Sequence, residues 1–405
     1  MVALLVLLLA APETVETDHY RLVSEGPRAE AEEFGRVLEA AYAGFAAYFE
    51  AKPRLGKAEK LEVRFFETRE AWAAAVRAAG ATPPEGAGGY YWTGDRTAYL
   101  YRQPTRLFTR ALLLHETTHQ FHFLACTRNR APEAYWYKEG VAEFLGWNHW
   151  DGKELALGVL PLVALEDYPS QALADIKGVD LEAVIEGKAE PSRPVAWAIY
   201  RHLATGNGGK PLKGFEKLGS KLDGGAKPSS FFWRSFGQPA AFRKSLVAWL
   251  ETEQQPFVPL FNEWEPLGPD RVRGFAGVVT ACRLQRQATR FEATIERPTD
   301  AEAAWRGGGL LHYEGPDDYT VFLVDQAGHL RVTRRRGGAW EVLSEGAGPK
   351  PSDDGNCRFE VFTGDGGVHL TFAGGAAYGP WDLPKPAFGL ALESCDLVFS
   401  GLAWN

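Results

Sequence analysis

The first eighty residues alternate between stretches with a two-residue hydrophobic period and stretches with a helical period. DHYRLVS (18–24) and LEVRFFET (61–68) place apolar residues at every second position, which predicts two strands. Residues 28–51 and 69–80 repeat apolar residues at helical spacing with charged residues between them, which predicts two amphipathic helices. This alternation predicts a lobe in which helices pack on a sheet.

A hairpin and a long helix follow. GYYWTGDRTAYLY (89–101) has the pattern of a hairpin whose turn is the Gly-Asp pair in its middle. Pro104 then opens a helix that contains ALLLHETTHQFHF (111–123). The order of elements therefore predicts an α/β lobe that ends in one long helix.

Helical patterns dominate from Pro132 to about residue 257. EAYWYKEGVAEFLGW (133–147), VAWAIYRHL (195–203) and AAFRKSLVAWLE (240–251) are the strongest of them. We expect this stretch to form a helical lobe beside the α/β lobe, both within one domain over residues 12–257.

The pattern changes near Pro256, where short alternating segments separated by Gly, Pro and Asp replace the helical period. Many short alternating strands at near-regular spacing predict an antiparallel, jelly-roll-like β-sandwich over residues 258–405. The segments are RFEATIER, GGLLHYEG, DYTVFLVD, HLRVTRRR, AWEVLSE, RFEVFTGD, VHLTFAGG, FGLALES and DLVFSGLAW. The fold class that we predict is therefore α+β.

Composition narrows the functional classes. The 405 residues are 45% hydrophobic and carry a net charge of −8, without a basic stripe, which argues against nucleic acid as a partner. None of the four cysteines forms a CxxC pair, so a zinc ribbon is excluded, and both disulfides and buried free thiols stay open.

The amino terminus, MVALLVLLLAAPE, resembles a secretory signal peptide over residues 1–11. The alternative is a buried first strand, since no Lys or Arg precedes the apolar run. No other segment approaches the length of a membrane span. We expect a protein that is secreted, periplasmic or attached to the cell surface.

HETTH, within the long helix, has the spacing of a metal site. His115 and His119 are four residues apart, so both imidazoles leave one face of a helix and can meet one ion. Glu116 lies beside that face, where a general base would stand. The alternative is a pair of core histidines that happen to share a helix.

A third ligand is expected on the next helix. The metzincin pattern fails, because His122 and Ala125 stand where that pattern has Gly and His. Glu139 in YWYKEGVAEF follows His119 after 19 intervening residues and supplies a carboxylate. Glu143, one turn further, can accept the second N–H of a ligating histidine. His122 lies on roughly the same face as His115 but two turns away, so we expect a packing or rim role rather than a ligand.

HETTH followed by EGVAE resembles the HExxH and ExxxD/E pair of the gluzincin metallopeptidases, and most closely the bacterial peptidase MA-like proteins with an EGxAE element. The resemblance covers about residues 18–250. It implies a gluzincin-type fold with one Zn²⁺ held by His115, His119 and Glu139, and a peptide or protein substrate. It also implies hydrolysis by a metal-activated water, with Glu116 as general base and Glu143 orienting a ligand.

The same resemblance extends to residues around the substrate. Gluzincins take an oxyanion donor from a later helix, for which Tyr200 and His202 are the candidates. They also hold an edge strand before the zinc helix, so Tyr90, Tyr91 and Trp92 are expected to line substrate subsites, unless they pack on the sheet. The Gly-x-Met-Glu-Asn element of aminopeptidases is absent, so an endopeptidase is the expectation.

Residues 308–343 resemble the concanavalin-like and laminin-G-like sandwiches of sugar-related proteins. Tyr313, Trp340 and Trp381 are able to stack on a sugar ring, although aromatic residues in sandwiches usually belong to the core. A glycan or cell-surface ligand therefore competes with a structural role for this domain. Two other functions stay open for the whole chain: a zinc-binding scaffold without catalysis, and a carbohydrate-binding protein led by the sandwich.

Overall fold

The computed structural model describes residues 12–127, 134–164, 166–206, 228–253, 255–260, 263–276, 279–298, 304–349, 352 and 354–405. The predicted signal peptide lies outside these residues. The chain divides into two compact units. The first contains the described residues up to Val159 together with Tyr168–Glu253, and the second contains Leu160–Asp167 together with Gln254–Asn405.

A five-stranded mixed sheet forms the base of the first unit, in the order β1-β2-β3-β5-β4. Strands β2, β3 and β5 are parallel, while β1 and β4 run antiparallel at the two edges. The strands are β1 (Glu13–Glu16), β2 (Tyr20–Ser24), β3 (Leu61–Phe66), β4 (Gly89–Trp92) and β5 (Thr97–Tyr101). The predicted strands and hairpin are confirmed, and β1 is an additional strand that the sequence pattern did not predict.

The helices of the first unit follow the predicted periodicity closely. They are α1 (Arg28–Phe49), α2 (Arg69–Ala78), α3 (Arg106–Ala125), α4 (Tyr135–Gly146), α5 (Tyr168–Asp175), α6 (Leu181–Ile185), α7 (Arg193–Arg201), α8 (Pro228–Phe236) and α9 (Pro239–Leu250). A short hairpin of β6 (Asn148–Trp150) and β7 (Leu155–Leu157) follows α4. Within the described residues, no helix is both long enough and apolar enough to span a membrane.

Helix α3 passes through the interior of the first unit. Thr105 caps its first turn by accepting a hydrogen bond from the backbone N–H of Phe108, at 3.1 Å. Leu113, Leu114 and Phe121 are fully buried on it. A helix surrounded by protein in this way has its side chains fixed by packing, which suits it to hold ligands in place.

Helices α4 and α7 pack closely because a glycine stands at their contact. A Cβ at Gly140 would lie 2.6 Å from the backbone oxygen of Ala196 and 2.8 Å from the Cβ of Tyr200. Real Cβ atoms do not approach backbone oxygens so closely, so only glycine permits this distance between the two helices. Gly140 follows Glu139 directly, and the contact therefore sets the position of α7 beside a predicted ligand.

The second unit is a sandwich of two antiparallel seven-stranded sheets, which confirms the predicted α+β fold class. The first sheet has the order β19-β18-β17-β12-β21-β10-β9, and the second has the order β16-β15-β14-β13-β20-β11-β8. Side chains from both sheets meet between them, as in the contact of Phe322 with Phe359 at a centroid distance of 4.9 Å. This interior is the core of the unit.

The predicted strands of the sandwich are all present, and five more were not predicted: β8, β9, β10, β11 and β19. The strands are β8 (Phe257–Pro259), β9 (Glu263–Gly268), β10 (Arg271–Phe275), β11 (Val279–Leu284), β12 (Arg290–Glu296), β13 (Arg306–Gly315), β14 (Asp318–Asp325), β15 (His329–Arg336), β16 (Ala339–Ala347), β17 (Cys357–Gly364), β18 (Gly367–Phe372), β19 (Ala377–Trp381), β20 (Pro386–Glu393) and β21 (Asp396–Trp404). All four cysteines are free thiols.

We predict that Gly140→Ala destabilises the first unit, because the added methyl group forces α4 and α7 apart. The expected loss in the free energy of unfolding is about 1–3 kcal/mol, the usual cost of overpacking. Urea denaturation followed by circular dichroism at the helical band measures it, since every helix described above lies in the first unit.

Gly178→Ala is the matched control. Nothing lies within 4 Å of a Cβ built at Gly178. Its urea midpoint should stay close to that of the wild type. Equal midpoints for both variants would contradict the assigned role of Gly140.

Candidate metal centre

Helix α3 presents both histidines of HETTH to one point. Their Nε2 atoms are 3.1 Å apart, and their rings are perpendicular at a centroid distance of 4.7 Å. His115 is 3% exposed, and His119 keeps more contact with solvent. The predicted i and i+4 arrangement is thus present, with both nitrogen atoms free of the helix backbone and directed toward α4.

Glu139 on α4 completes the group. Its Oε2 atom lies 3.4 Å from Nε2 of His115 and 3.6 Å from Nε2 of His119. Among the described residues, these three form a group of ligand atoms that lie within 4.8 Å of one another and could hold a metal ion. Four ligands at zinc distances in a tetrahedron are about 3.3 Å apart, so the observed separations fit such an ion.

The charge on Glu139 is stabilised by its neighbours. Burial alone would raise the pKa of this carboxyl, but the imidazoles of His119 and His115 hold the pKa well below its usual range. Lys138 adds an ion pair at 3.1 Å to the other carboxylate oxygen. Glu139 is therefore ionised at neutral pH, as a metal ligand must be.

Glu143 lies where a ligand-orienting carboxylate is expected. Its Oε1 atom is 3.4 Å from Nδ1 of His115, the nitrogen opposite the one that faces Glu139. Its Oε2 atom accepts a hydrogen bond from the hydroxyl of Tyr168 at 3.1 Å. A carboxylate at Nδ1 favours the tautomer whose Nε2 lone pair is free for a metal.

Arg193, at the start of α7, is a member of the site that the sequence patterns did not predict. Its Nη1 atom donates to Oε1 of Glu143 at 2.8 Å and lies 3.3 Å from Nε2 of His115. Its Nη2 atom is 3.8 Å from Oε2 of Glu139. A guanidinium thus stands next to the point where the ligand atoms converge.

One signal in the sequence marks Arg193 as unusual without placing it in the site. A positive charge in the first turn of a helix opposes the helix dipole, so it is unfavourable unless carboxylates compensate it. Arg193 begins α7, immediately before Pro194. Such a residue predicts carboxylate partners nearby, although nothing in the sequence identifies Glu139 and Glu143 as those partners.

Glu116 is held between α3 and the edge strand β4. A Cβ at Gly89 would lie 2.7 Å from Cγ of Glu116, so the absence of a side chain at this position makes room for the carboxylate. The backbone N–H of Tyr91 donates to Glu116. Burial raises the pKa of Glu116 to about 7, although His115 and Arg193 act to lower it.

The aromatic residues of β4 pack against the protein rather than standing free. Tyr91 is buried with its ring 5.8 Å from that of Phe123 on α3. Tyr90 and Trp92 stack on each other at 6.0 Å and join an apolar cluster with α2. Their role as subsite residues stays a prediction.

The hydroxyl of Tyr200 and the Nε2 atom of His202, the two candidates for the oxyanion donor, are engaged elsewhere. The Nδ1 atom of His202 is buried and has no hydrogen-bond partner among the described residues. The hydroxyl of Tyr200 is 2.8 Å from that of Tyr48. Nε2 of His202 is 3.1 Å from the hydroxyl of Ser245, and its ring lies against Trp249. Neither of these contacts involves the three metal-site residues, so the donor role of both also stays a prediction.

His122 is a packing residue in the structure. It is 5% exposed, and its Nε2 atom is 3.2 Å from the hydroxyl of Tyr137. Burial lowers the pKa of His122 to about 3, which keeps the ring neutral. The ring also contacts Phe49 at a centroid distance of 5.2 Å.

Comparison with known proteins identifies no family for this chain. No protein-family model matches, and no curated protein matches. Among solved structures, a carbohydrate-binding module of Bacillus subtilis matches at 13% identity and a TM-score of 0.30, over 36% of this chain and 93% of its own.

Two further solved structures give similar matches. Toad ovary galectin in complex with thio-digalactose matches at 16% identity and a TM-score of 0.22, over 32% of this chain and 96% of its own. A homodimeric agglutinin from chicken liver matches at 11% identity and a TM-score of 0.24, over 32% of this chain and 100% of its own. Similarities at this level carry no conclusion about function.

We predict that the protein binds about one divalent ion per chain, and that His115→Ala or Glu139→Ala removes it, because two remaining ligands do not make a zinc site. Elemental analysis after dialysis against a trace of zinc measures the stoichiometry. His329→Ala is the control, because this imidazole is exposed in the sandwich and its loss should leave the metal content unchanged. Full ion content in the Glu139 variant would contradict the assignment.

Proposed function

We propose that the protein is a zinc-dependent metallopeptidase that cleaves internal peptide bonds. The observation that carries the proposal is the convergence of Nε2 of His115, Nε2 of His119 and Oε2 of Glu139, with the carboxylate of Glu116 next to them. Three protein ligands leave a fourth position open, which is the pattern of catalytic rather than structural zinc sites.

The residues present suit zinc better than other common metals. Two imidazoles and one carboxylate are ligands that Zn²⁺ accepts readily, whereas Mg²⁺ and Ca²⁺ require mainly oxygen atoms. When bound, zinc supplies an activated water and polarises a carbonyl group. Support from Glu143 at Nδ1 of His115 is the arrangement that such sites use to fix a ligand.

Glu116 serves as the general base. A raised pKa near 7 means that the carboxyl group can accept a proton from water and return it to the leaving amine. Gly89 and the backbone N–H of Tyr91 hold the carboxylate in place for this task. Its position one residue after His115 keeps it beside the ligands without making it a ligand.

Arg193 stabilises the negative charge that develops on the substrate carbonyl. Its guanidinium is anchored to Glu143 at 2.8 Å, so it is positioned before substrate arrives. Burial acts to lower the pKa of Arg193, but Glu143 and Glu139 raise it further, so the net shift is upward and the group is charged. We assign to Arg193 the role for which Tyr200 and His202 were the sequence candidates, because its Nη1 atom lies 3.3 Å from Nε2 of His115.

The edge strand β4 offers a place for an extended substrate. It is the last strand of its sheet and pairs on one side with β5. A peptide can add to such an edge through main-chain hydrogen bonds. Because Glu116 contacts this strand at Gly89 and Tyr91, a peptide bound along it passes the base and the ligands.

We predict that Glu116→Gln lowers peptide cleavage by about 100- to 10,000-fold, the usual contribution of a general base. Metal content should stay unchanged, since Glu116 is not a ligand. Incubation of both zinc-loaded proteins with a diverse peptide library, followed by mass spectrometry of the products, measures this. If both proteins bind zinc and neither cuts, the protein is a zinc-binding scaffold instead.

We predict that Arg193→Gln lowers kcat by about 100-fold while KM changes little, because an oxyanion donor acts in the transition state. Arg193→Lys should recover part of the loss, since it restores the charge without the planar fork. Steady-state kinetics on a peptide from the library measures both constants. A change confined to KM would assign Arg193 to substrate binding.

A second candidate function belongs to the sandwich. We infer that it binds a glycan, because Trp340 on its surface is 45% exposed and offers an aromatic face to a sugar ring. Export of the protein, which the amino-terminal apolar run suggests, would bring both units into contact with extracellular proteins and glycans.

A further inference from the structure

Five side chains form a row across the second sheet of the sandwich. Strand register places Tyr313 opposite Tyr319, Tyr319 opposite Arg335, and Arg335 opposite Trp340, on β13, β14, β15 and β16. Arg283 of β11 extends the row, because its guanidinium lies 5.7 Å from the ring centroid of Tyr313. We call these five residues the outer row.

The outer row lies on the face of the sheet that points away from the sandwich core. On β14, Phe322 and Val324 belong to the core, whereas Tyr319 belongs to a separate cluster on the opposite face. Side chains alternate between faces along a strand. Residues directly opposite one another in register share a face, so the whole row is on the outer side.

A β-bulge brings Tyr313 into the row. Leu310 pairs with Val321 and His312 pairs with Thr320, so Leu311 is an additional residue in β13. If β13 continued in regular pairing through Leu311, the alternation of side chains would turn Tyr313 toward the core. A bulge re-aims the side chains that follow it. The row is therefore built by the local backbone and is not a consequence of composition alone.

The open end of the row is aromatic. Trp340 and Val342 are the exposed large hydrophobic residues among those that the structure describes. The ring of Trp340 meets Tyr319 edge-on at 5.6 Å, and the guanidinium of Arg335 lies 5.9 Å from its centroid. These contacts hold the indole in place while 45% of the residue stays accessible to a ligand.

The two cations of the row are only partly paired within the described residues, where Arg335 donates a hydrogen bond to Tyr319. The Nε atoms of Arg283 and Arg335 are buried and have no hydrogen-bond partner within the described part of the chain. Arg335 meets Asp317 at 3.5 Å, a long contact to an exposed carboxylate. Arg334, on the inner face, is instead bound through both Nε and Nη2 to Asp318, at 3.0 and 3.2 Å.

We propose that the outer row binds an acidic glycan. A sugar ring stacks on Trp340, and carboxylate or sulfate groups bind Arg335 and Arg283, whose planar guanidinium groups match such anions. The row extends over five strand spacings, about 24 Å. Tyr319 in its middle is only 3% exposed, so an oligosaccharide would reach the row at Trp340, Arg335 and Arg283 rather than along its whole length. This inference rests on the proposal that the sandwich binds a glycan, and it specifies that the glycan is acidic.

Calorimetric titration of the full chain tests the proposal with three main probes, and a sulfated galactose tetramer is the fourth. Tetragalacturonate carries a carboxylate on each sugar, its methyl ester has the same backbone without charge, and a short polyglutamate has the charge without sugar rings. We expect binding of tetragalacturonate and at least tenfold weaker binding of both others. Raising the ionic strength should weaken the binding of tetragalacturonate, because the anion contacts are partly exposed.

Variants assign the binding to the row. Trp340→Ala should weaken binding about tenfold through the lost stacking contact. Arg335→Gln should weaken the binding of tetragalacturonate by a similar factor and leave the binding of the methyl ester unchanged. Arg273→Gln is the matched control, because Arg273 also lies over an aromatic ring, Phe275 at 5.7 Å, but on the other sheet. Unchanged circular dichroism shows that the variants fold.

The outcomes separate the two proposals. Equal binding of tetragalacturonate and its ester would overturn the acidic class and leave glycan binding intact. Binding of polyglutamate as tight as that of tetragalacturonate would replace the glycan by an acidic peptide. If a sulfated galactose tetramer binds and tetragalacturonate does not, the anion is sulfate. If no saccharide binds, or Arg273→Gln has the same effect as Arg335→Gln, the row is not a glycan site.

Discussion

The candidate site depends on the packing of α3 against α4, which brings three polar ligand atoms together in the interior of the protein. Burying imidazole and carboxylate groups costs free energy unless each has a partner. Here most partners are other members of the group: His115 contacts His119, Glu139 and Glu143, and Arg193 contacts both carboxylates. An ion at the centre would satisfy the same groups at once. The position of α7, and so of Arg193, follows from the close helix contact at Gly140.

Features that arise from short spacing along the chain were predictable from the sequence. The i and i+4 histidines and the base beside them follow from helical geometry, because one helix turn fixes which side chains share a face. The carboxylates of α4 were expected from the resemblance of HETTH and EGVAE to the gluzincin pattern, since they reach α3 through tertiary packing. The strands of the sandwich are predictable because side chains alternate between the two faces of a strand at every residue. Arg193 was not, since it reaches the site through tertiary packing of a helix that begins 50 residues after Glu143. Strand β10, RVRGF, is short and rich in Arg and Gly, which obscures its alternation.

The two units form their candidate sites by different means. In the first, helical spacing aims two nitrogen atoms at one point, and a second helix adds a carboxylate at 3.4 Å. In the second, cross-strand register lines up side chains that are far apart in the sequence. A bulge at Leu311 places Tyr313 on the same face of the sheet as the others. A helix therefore suits a compact site for a single ion, whereas a sheet suits an extended site for a chain-like ligand.

The most direct test of the central claim is anomalous diffraction from a crystal of the zinc-loaded protein, recorded on both sides of the zinc absorption edge. We expect one anomalous peak, about 2.0–2.2 Å from Nε2 of His115, Nε2 of His119 and an oxygen of Glu139, with Glu116 beside it and outside bonding distance. A peak at other residues, or none in a crystal with the three side chains ordered, would contradict the assignment. Coordination by Glu116 itself would contradict its role as the base.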